Sequence, residues 1–387
     1  MLQVSSAKEP FDAVVVGSGA TGGWAAKILT EAGMSVALLE AGKKITPQDF
    51  TEHKQPWQMP FLGMSPKIVQ DRPVQGQCYA CTEYNYEWFV NDKENPYTQA
   101  KPFSWIRQRI LGGRTLSWGR QSYRMSDLDF KAASHDGYGD DWPISYEDLV
   151  PYYEKVERYV GISGLAEGLP QLPDSIFMPP MEMTCGEEIL KRAMREKFNR
   201  VLTIGRTAIL TKAHNGRQAC HYCGPCERGC QTFSYFSSPF TTIKDALATK
   251  RLTLLTDAVA AKITVKDGKA SGVAYIDART KQAREARGKI VVLCASTLES
   301  TRLLMNSGIC NSNNALGKHL MDHIYEGGAS GIMPNLEAKP WVGMPRRPNG
   351  IYIPRFRNVK EKETNGFIRG YGYQGGSTPS FDYGAPG

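Results

Sequence analysis

Gly17-Ser18-Gly19-Ala20-Thr21-Gly22 places glycine at each position where a dinucleotide phosphate site needs one, and Glu40 follows after one further strand. Gly17 permits a tight turn, Gly19 lets the backbone approach a pyrophosphate, and Gly22 lets a helix pack closely on a sheet with its N-terminus facing the phosphates. A carboxylate at Glu40 can accept hydrogen bonds from ribose hydroxyls. A second group lies far along the chain. Cys220, Cys223, Cys226 and Cys230 form a C-x2-C-x2-C-x3-C run within eleven positions, so their thiolates can converge on one inorganic centre. Zinc is the chemical rival, although structural zinc sites usually take their ligands as two separated pairs, and a loop without metal is the third reading. Cys78 and Cys81 lack further partners of this kind and read as ordinary thiols.

The elements that must position these groups are legible locally. Phe11 to Val16 is a β-branched run leading into the glycine turn, and Ala25, Ile28 and Leu29 then recur at helical spacing. Gly33 ends that helix, and Ser35 to Leu39 supplies a second buried strand with Glu40 at its tip. This signature suits FAD and NAD alike. Arg109 to Arg120 reads RILGGRTLSWGR, in which Gly112 and Gly113 let a loop approach a ring system and Trp118 offers a flat apolar surface, features an NAD domain does not need. Leu252 to Leu255, Ala258 to Val265 and Ala270 to Ile276 form a strand series, a three-stranded meander before the buried strand Ile290 to Leu293. Between these regions, Ser145 opens a helix with Tyr153, Val156 and Val160 on its packed face, and four prolines in 170–180 make an extended connector. A basic helix resumes at Ile189 to Phe198.

Composition sets the frame. A chain of 387 residues with 41% hydrophobic and 22% charged residues has core enough for two domains, which excludes a small disulfide scaffold or a disordered tail. The formal charge of +8 is dispersed, giving no block suited to nucleic acid. No apolar run reaches membrane-spanning length, and MLQVSSAKEP has no apolar core for a secretory signal, so the chain reads as cytoplasmic.

Together these segments resemble the glucose-methanol-choline (GMC) family of FAD-dependent oxidoreductases, from about Phe11 to the last residue. The matching pieces are VVVGSGATGG…LLEAG at 14–42, LGGRTLSWGR at 111–120, DWPISYEDLVPYYEKVERYVGISG at 141–164, the cysteine segment, and NALGKHLMDH at 314–323. The resemblance implies an α/β fold: a Rossmann-like FAD-binding domain from 1–130 and 225–330, a connecting region at 131–224 with the cysteine segment, and the start of a sheet-based substrate domain at 331–387. Gly17, Gly19, Gly22 and Glu40 would hold the ADP part of FAD, and Val259 would meet the adenine through its backbone. Gly112, Gly113, Thr115, Ser117, Trp118 and Gly119 would lie against the isoalloxazine. Some relatives carry a flavin-linked histidine two positions after the residue matching Thr115; Ser117 stands there, implying dissociable FAD.

The family's proton-abstracting histidine, usually paired with a second His or Asn, is expected beyond Gly387, so no catalytic residue is assigned within the chain. His319 and His323 match the LMDH segment and take no proton-transfer role. A subset of the family carries a 3Fe-4S cluster on a C-x5-C-x3-C pattern, which Cys220, Cys226 and Cys230 match, leaving Cys223 over; other members keep a similar segment as a bare loop. The implied activity is dehydrogenation of a sugar or polyol hydroxyl by hydride transfer to flavin, with a small accessory subunit and a cytochrome-type electron acceptor as partners. An oxygen-using alcohol oxidase and a noncatalytic FAD-binding electron-transfer module are the alternatives, and export beside a signal-bearing partner is the alternative to a cytoplasmic location.

Overall fold

The computed structural model describes residues 5–6, 9–59, 62, 67–323, 327–332, 347–360, 362 and 366–377. The chain forms two compact units: Met1–Trp118 with Cys226–Gln231 and Ser237–Glu326, and Gly119–Pro225 with Thr232–Phe236 and Gly327–Gly387.

The first unit is built on strands β1 (Phe11–Val16), β2 (Val36–Leu39), β3 (Leu252–Leu255), β4 (Ala258–Lys266), β5 (Lys269–Asp277) and β6 (Ala283–Leu293). Their order is β3-β2-β1-β6-β5-β4, with the short strand Ser5–Ser6 also pairing β6. Ala13, Val14 and Val15 are fully buried, as are Val36, Ala37 and Leu38, which explains continuous apolar runs in place of alternation: parallel strands are covered on both faces. Register aligns Val16 with Leu39 and with Leu293, and Leu39 with Leu255. Four parallel strands therefore end level, and the glycine turn and Glu40 begin at that edge, where ligands of open α/β sheets bind. Helix α1 (Ala20–Glu31) connects β1 to β2, and a later helix, Thr297–Ser307, sends Leu303 into the core with Val14, Leu39, Ala260 and Val273.

Two strand assignments differ from the sequence expectation. Leu252–Leu255 lies parallel beside β2 and is no part of the meander. The third meander strand is instead the first half of β6: Ala283–Arg287 runs antiparallel to β5, while Gly288–Leu293 runs parallel to β1. With eleven residues, β6 is long enough to serve both partners.

In the second unit, Thr203–Ile204, Ile351–Ile353 and Tyr373–Gly375 form a three-stranded antiparallel sheet. The helix Tyr146–Val160 starts at Ser145, which forms a capping box with Asp148. Its inner face differs from the expected apolar stripe. Val156 is 37% exposed, whereas Glu157 is buried because it takes two hydrogen bonds from the Arg124 guanidinium, at 2.8 and 2.6 Å. The helix Cys185–Phe198 starts a turn earlier than its apolar spacing suggests, since Thr184 and Glu187 cap it reciprocally. Among the described residues no helix is long and apolar enough to cross a membrane.

Candidate functional site

The three glycines of the turn behave differently, each as its steric role demands. Gly17 has φ +95°, and a Cβ there would lie 2.4 Å from the carbonyl oxygen of Cys294; at Gly22 an added Cβ would come within 1.8 Å of the Gly17 carbonyl oxygen. Both positions are closed to any side chain. At Gly19, by contrast, an added Cβ would meet no described atom within 4 Å. Gly19 is also the N-cap of α1, no side chain caps that end, and its first turn holds no acid. The result is an open, electropositive cradle at a helix N-terminus, which fits a pyrophosphate.

Glu40, at the tip of β2, is tied to this turn. One carboxylate oxygen accepts from the backbone N–H of Ser18 at 3.3 Å and from the Ser18 hydroxyl; the other accepts from the Gly42 N–H at 2.7 Å. Burial pushes the Glu40 carboxyl above its usual range, against these hydrogen bonds and the Arg109 charge, which pull it down. One acceptor site remains for a ribose hydroxyl, since a carboxylate offers about four and three are taken. Val259 follows Ala258, whose N–H donates to the Glu40 carbonyl at 2.8 Å, so the expected adenine contact stands beside the acid.

Hydrogen bonds join the glycine turn to the loop expected at the isoalloxazine. The Gly112 N–H donates to the Ser18 hydroxyl oxygen at 2.8 Å, and Thr115 Oγ1 donates to the Gly112 carbonyl at 2.7 Å. Ser238 Oγ lies 3.3 Å from Thr115 Oγ1 and donates to the Ser18 carbonyl at 2.7 Å. Gly112 has φ +90° and opens a turn of 3-10 helix over Gly113–Leu116. Ser117 is buried and donates to Gln108 Oε1 at 2.8 Å, while Gln108 Nε2 is buried with no partner among the described residues. Trp118 is half-exposed, and Gly119, the first residue of the second unit, is exposed. The structure thus brings Gly17, Gly19, Gly22, Glu40, Gly112, Thr115 and Val259 to one strand-end edge within the first unit. Ser18 and Ser238 join this web without a signal in the sequence. Ser18 fills a variable position of the fingerprint, and Ser238 arrives from 220 residues away, so neither leaves a local signal.

The cysteine run divides between the units: Cys220 and Cys223 belong to the second, Cys226 and Cys230 to the first. Within the first unit its backbone is pinned. Thr51 donates to the Arg228 carbonyl at 2.9 Å, Asn85 Nδ2 to the Glu227 carbonyl at 2.7 Å, and the Gln231 N–H to Glu52 Oε1 at 2.6 Å. Among the described residues no group of three or more His, Cys, Asp or Glu side chains is gathered so as to hold a metal ion. Cys81 is buried, and burial together with the neighbouring Cys78 pushes its thiol up to about 12, the opposite of a thiolate ligand. His319 and His323 are exposed.

A family model described as GMC oxidoreductase matches residues 11–325. Among curated proteins, the chain is 29% identical over 386 residues to a 2-methyl-1,2-propanediol dehydrogenase of Mycolicibacterium austroafricanum, covering 96% of this chain and 64% of that one. It is 26% identical over 331 residues to a 6'''-hydroxyparomomycin C oxidase of Streptomyces lividus, covering 82% and 54%. It is 26% identical over 334 residues to a fructose dehydrogenase large subunit of Gluconobacter japonicus, covering 81% and 58%. The chain therefore spans between 54% and 64% of the length of these relatives.

Proposed function

Because the chain belongs to the GMC oxidoreductase family, we propose that it binds FAD without a covalent link and serves a dehydrogenase that oxidises a hydroxyl of a sugar or polyol. The GMC family binds FAD, and when bound the cofactor supplies the acceptor for the hydride leaving the carbinol carbon. The protein's part is to hold it. Gly19 and the α1 N-terminus take the pyrophosphate, Glu40 the ribose, Val259 the adenine, and Gly112 to Gly119 the ring. The observation that carries this reading is the hydrogen-bonded web from Glu40 through Ser18 to Gly112 and Thr115, which makes the phosphate turn and the ring loop one rigid support.

The substrate class draws support from two relatives named for a diol and for fructose, and the second, a large subunit, favours an accessory partner. The relative named an oxidase keeps oxygen as the competing acceptor. A cluster on Cys220, Cys226 and Cys230 has the spacing in its favour, but among the described residues these thiols are not gathered into a group that could hold a metal. The test uses the full-length protein, prepared anaerobically. Flavin reduction by a polyol or sugar, turnover with an artificial acceptor and little hydrogen peroxide in air are the expected outcomes; rapid peroxide formation would overturn the dehydrogenase reading. Iron and sulfide analysis of the same sample decides the cysteine segment separately.

A further inference from the structure

We propose that the first unit carries a binding site for a phosphate-type oxyanion, built on the guanidinium of Arg72 with Lys43 and Arg109, in an open cleft beside Glu40. The cleft has a volume of about 410 Å³, and Gly42, Glu87 and Asp257 also line it. All of these residues belong to the first unit.

Arg72 is 8% exposed, and its Nε is buried without a hydrogen-bond partner among the described residues. Its guanidinium carbon lies 4.8 Å from the centroid of the Tyr86 ring, and a ring face attracts a cation without supplying a counter-charge. Arginine keeps its proton under burial, and a buried charge is costly unless it is paired. The acids of the cleft are engaged elsewhere. Glu87 lies 3.6 Å from Lys43, and Asp257 takes the Arg279 guanidinium at 2.8 Å. Arg109 has Glu299 at 3.6 Å, but Glu299 also takes Arg302 at 2.6 Å. Three cations thus line one cleft, and Arg72, the most buried of them, has no acid within ion-pair distance among the described residues. The backbone fixes its place: the Arg72 N–H donates to the Ile68 carbonyl at 2.8 Å, and its carbonyl accepts from the Gly76 N–H at 2.8 Å.

A guanidinium presents parallel N–H donors that match two oxygens of a phosphate, and a lysine ammonium adds a point charge. The phosphate could arrive free or as a phosphoryl group on the ribose, because the cleft begins where Glu40 ends: the Gly42 N–H donates to Glu40 Oε1 at 2.7 Å, and the Gly42 carbonyl accepts from the Asp257 N–H at 2.9 Å. Glu40 favours the free anion. A carboxylate at that strand tip accepts from a ribose hydroxyl and repels a phosphorylated one. The site stands on these residues and not on the identity of the dinucleotide.

Calorimetric titration of inorganic phosphate into the full-length FAD-loaded protein tests the site, in a buffer free of other oxyanions and at fixed ionic strength so that screening is constant. Saturable binding of about one phosphate per chain is expected, and Arg72→Met should weaken it about tenfold or more through lost charge-assisted hydrogen bonds. Lys43→Met changes a side chain that is half exposed, so it keeps the test open if Arg72→Met does not fold, and it should weaken phosphate binding severalfold. The source of the anion is read by competition for FAD on the same protein, using AMP and AMP that carries a further phosphoryl group on its ribose. Equal competition, with phosphate binding present, assigns the free anion. A preference of about tenfold or more for the phosphorylated form, abolished by Arg72→Met, keeps the anion site and contradicts the FAD reading. The proposal is overturned if the wild type shows neither saturable phosphate binding nor that preference, or if the folded variants bind phosphate as tightly as the wild type.

Discussion

Glu40 faces opposing demands. In the proposed role its carboxylate must be charged to hold a ribose hydroxyl well, yet burial raises its affinity for a proton. A carboxyl raised in the folded state binds more protons folded than unfolded as pH climbs out of the ordinary carboxylate range, so over that window stability falls with rising pH. Glu40→Gln should therefore flatten this slope, while its amide NH2 faces one of the buried N–H groups that the carboxylate accepts from. FAD binding should weaken, because charge-assisted hydrogen bonds are worth about 1.5–3 kcal/mol, or roughly ten- to a hundredfold in Kd. Thermal midpoints across pH and FAD titration of the apo-protein measure the two effects. A variant with an unchanged pH slope and unchanged FAD affinity would contradict the role given to this residue.

Among the elements, the helix Tyr146–Val160 depends on a charge pair where the sequence shows only an apolar stripe. Arg124 and Glu157 are both buried, and Arg124 also donates to the Tyr146 hydroxyl at 2.9 Å. Glu157→Ala should leave the guanidinium unpaired and cost about 3–5 kcal/mol in chemical denaturation, whereas replacing an exposed ion pair would cost about 1 kcal/mol or less. The contrast between this helix and α1 explains what the sequence could disclose. The β1-turn-α1-β2 order was legible because strand period, glycine positions and the terminal acid are consecutive. The Arg124–Glu157 pair spans 33 residues, and the Ser18–Gly112 bond spans 94, so no local pattern announces either. Leu252–Leu255 is a strand as expected, but its partner is hidden for the same reason: a short apolar strand states that it pairs, and only the fold states with which neighbour.

For the molecule as a whole, family membership rests on the match over residues 11–325, while the chemistry rests on whether this chain carries FAD where Gly19, Glu40 and Gly112 converge. Gly19 and Gly22 give an internal contrast. A side chain at Gly22 would strike the backbone of the turn itself, whereas one at Gly19 would enter only open space, so Gly19→Val should fold and yet fill the volume needed by the pyrophosphate. The decisive measurement is acid precipitation of the purified wild type and of Gly19→Val, each first shown to be folded by circular dichroism, with identification of the nucleotide released. About one FAD per wild-type chain should appear in the supernatant and essentially none from the variant. Flavin retained in the pellet, NAD in its place, or a Gly19→Val protein carrying FAD at the wild-type level would contradict it.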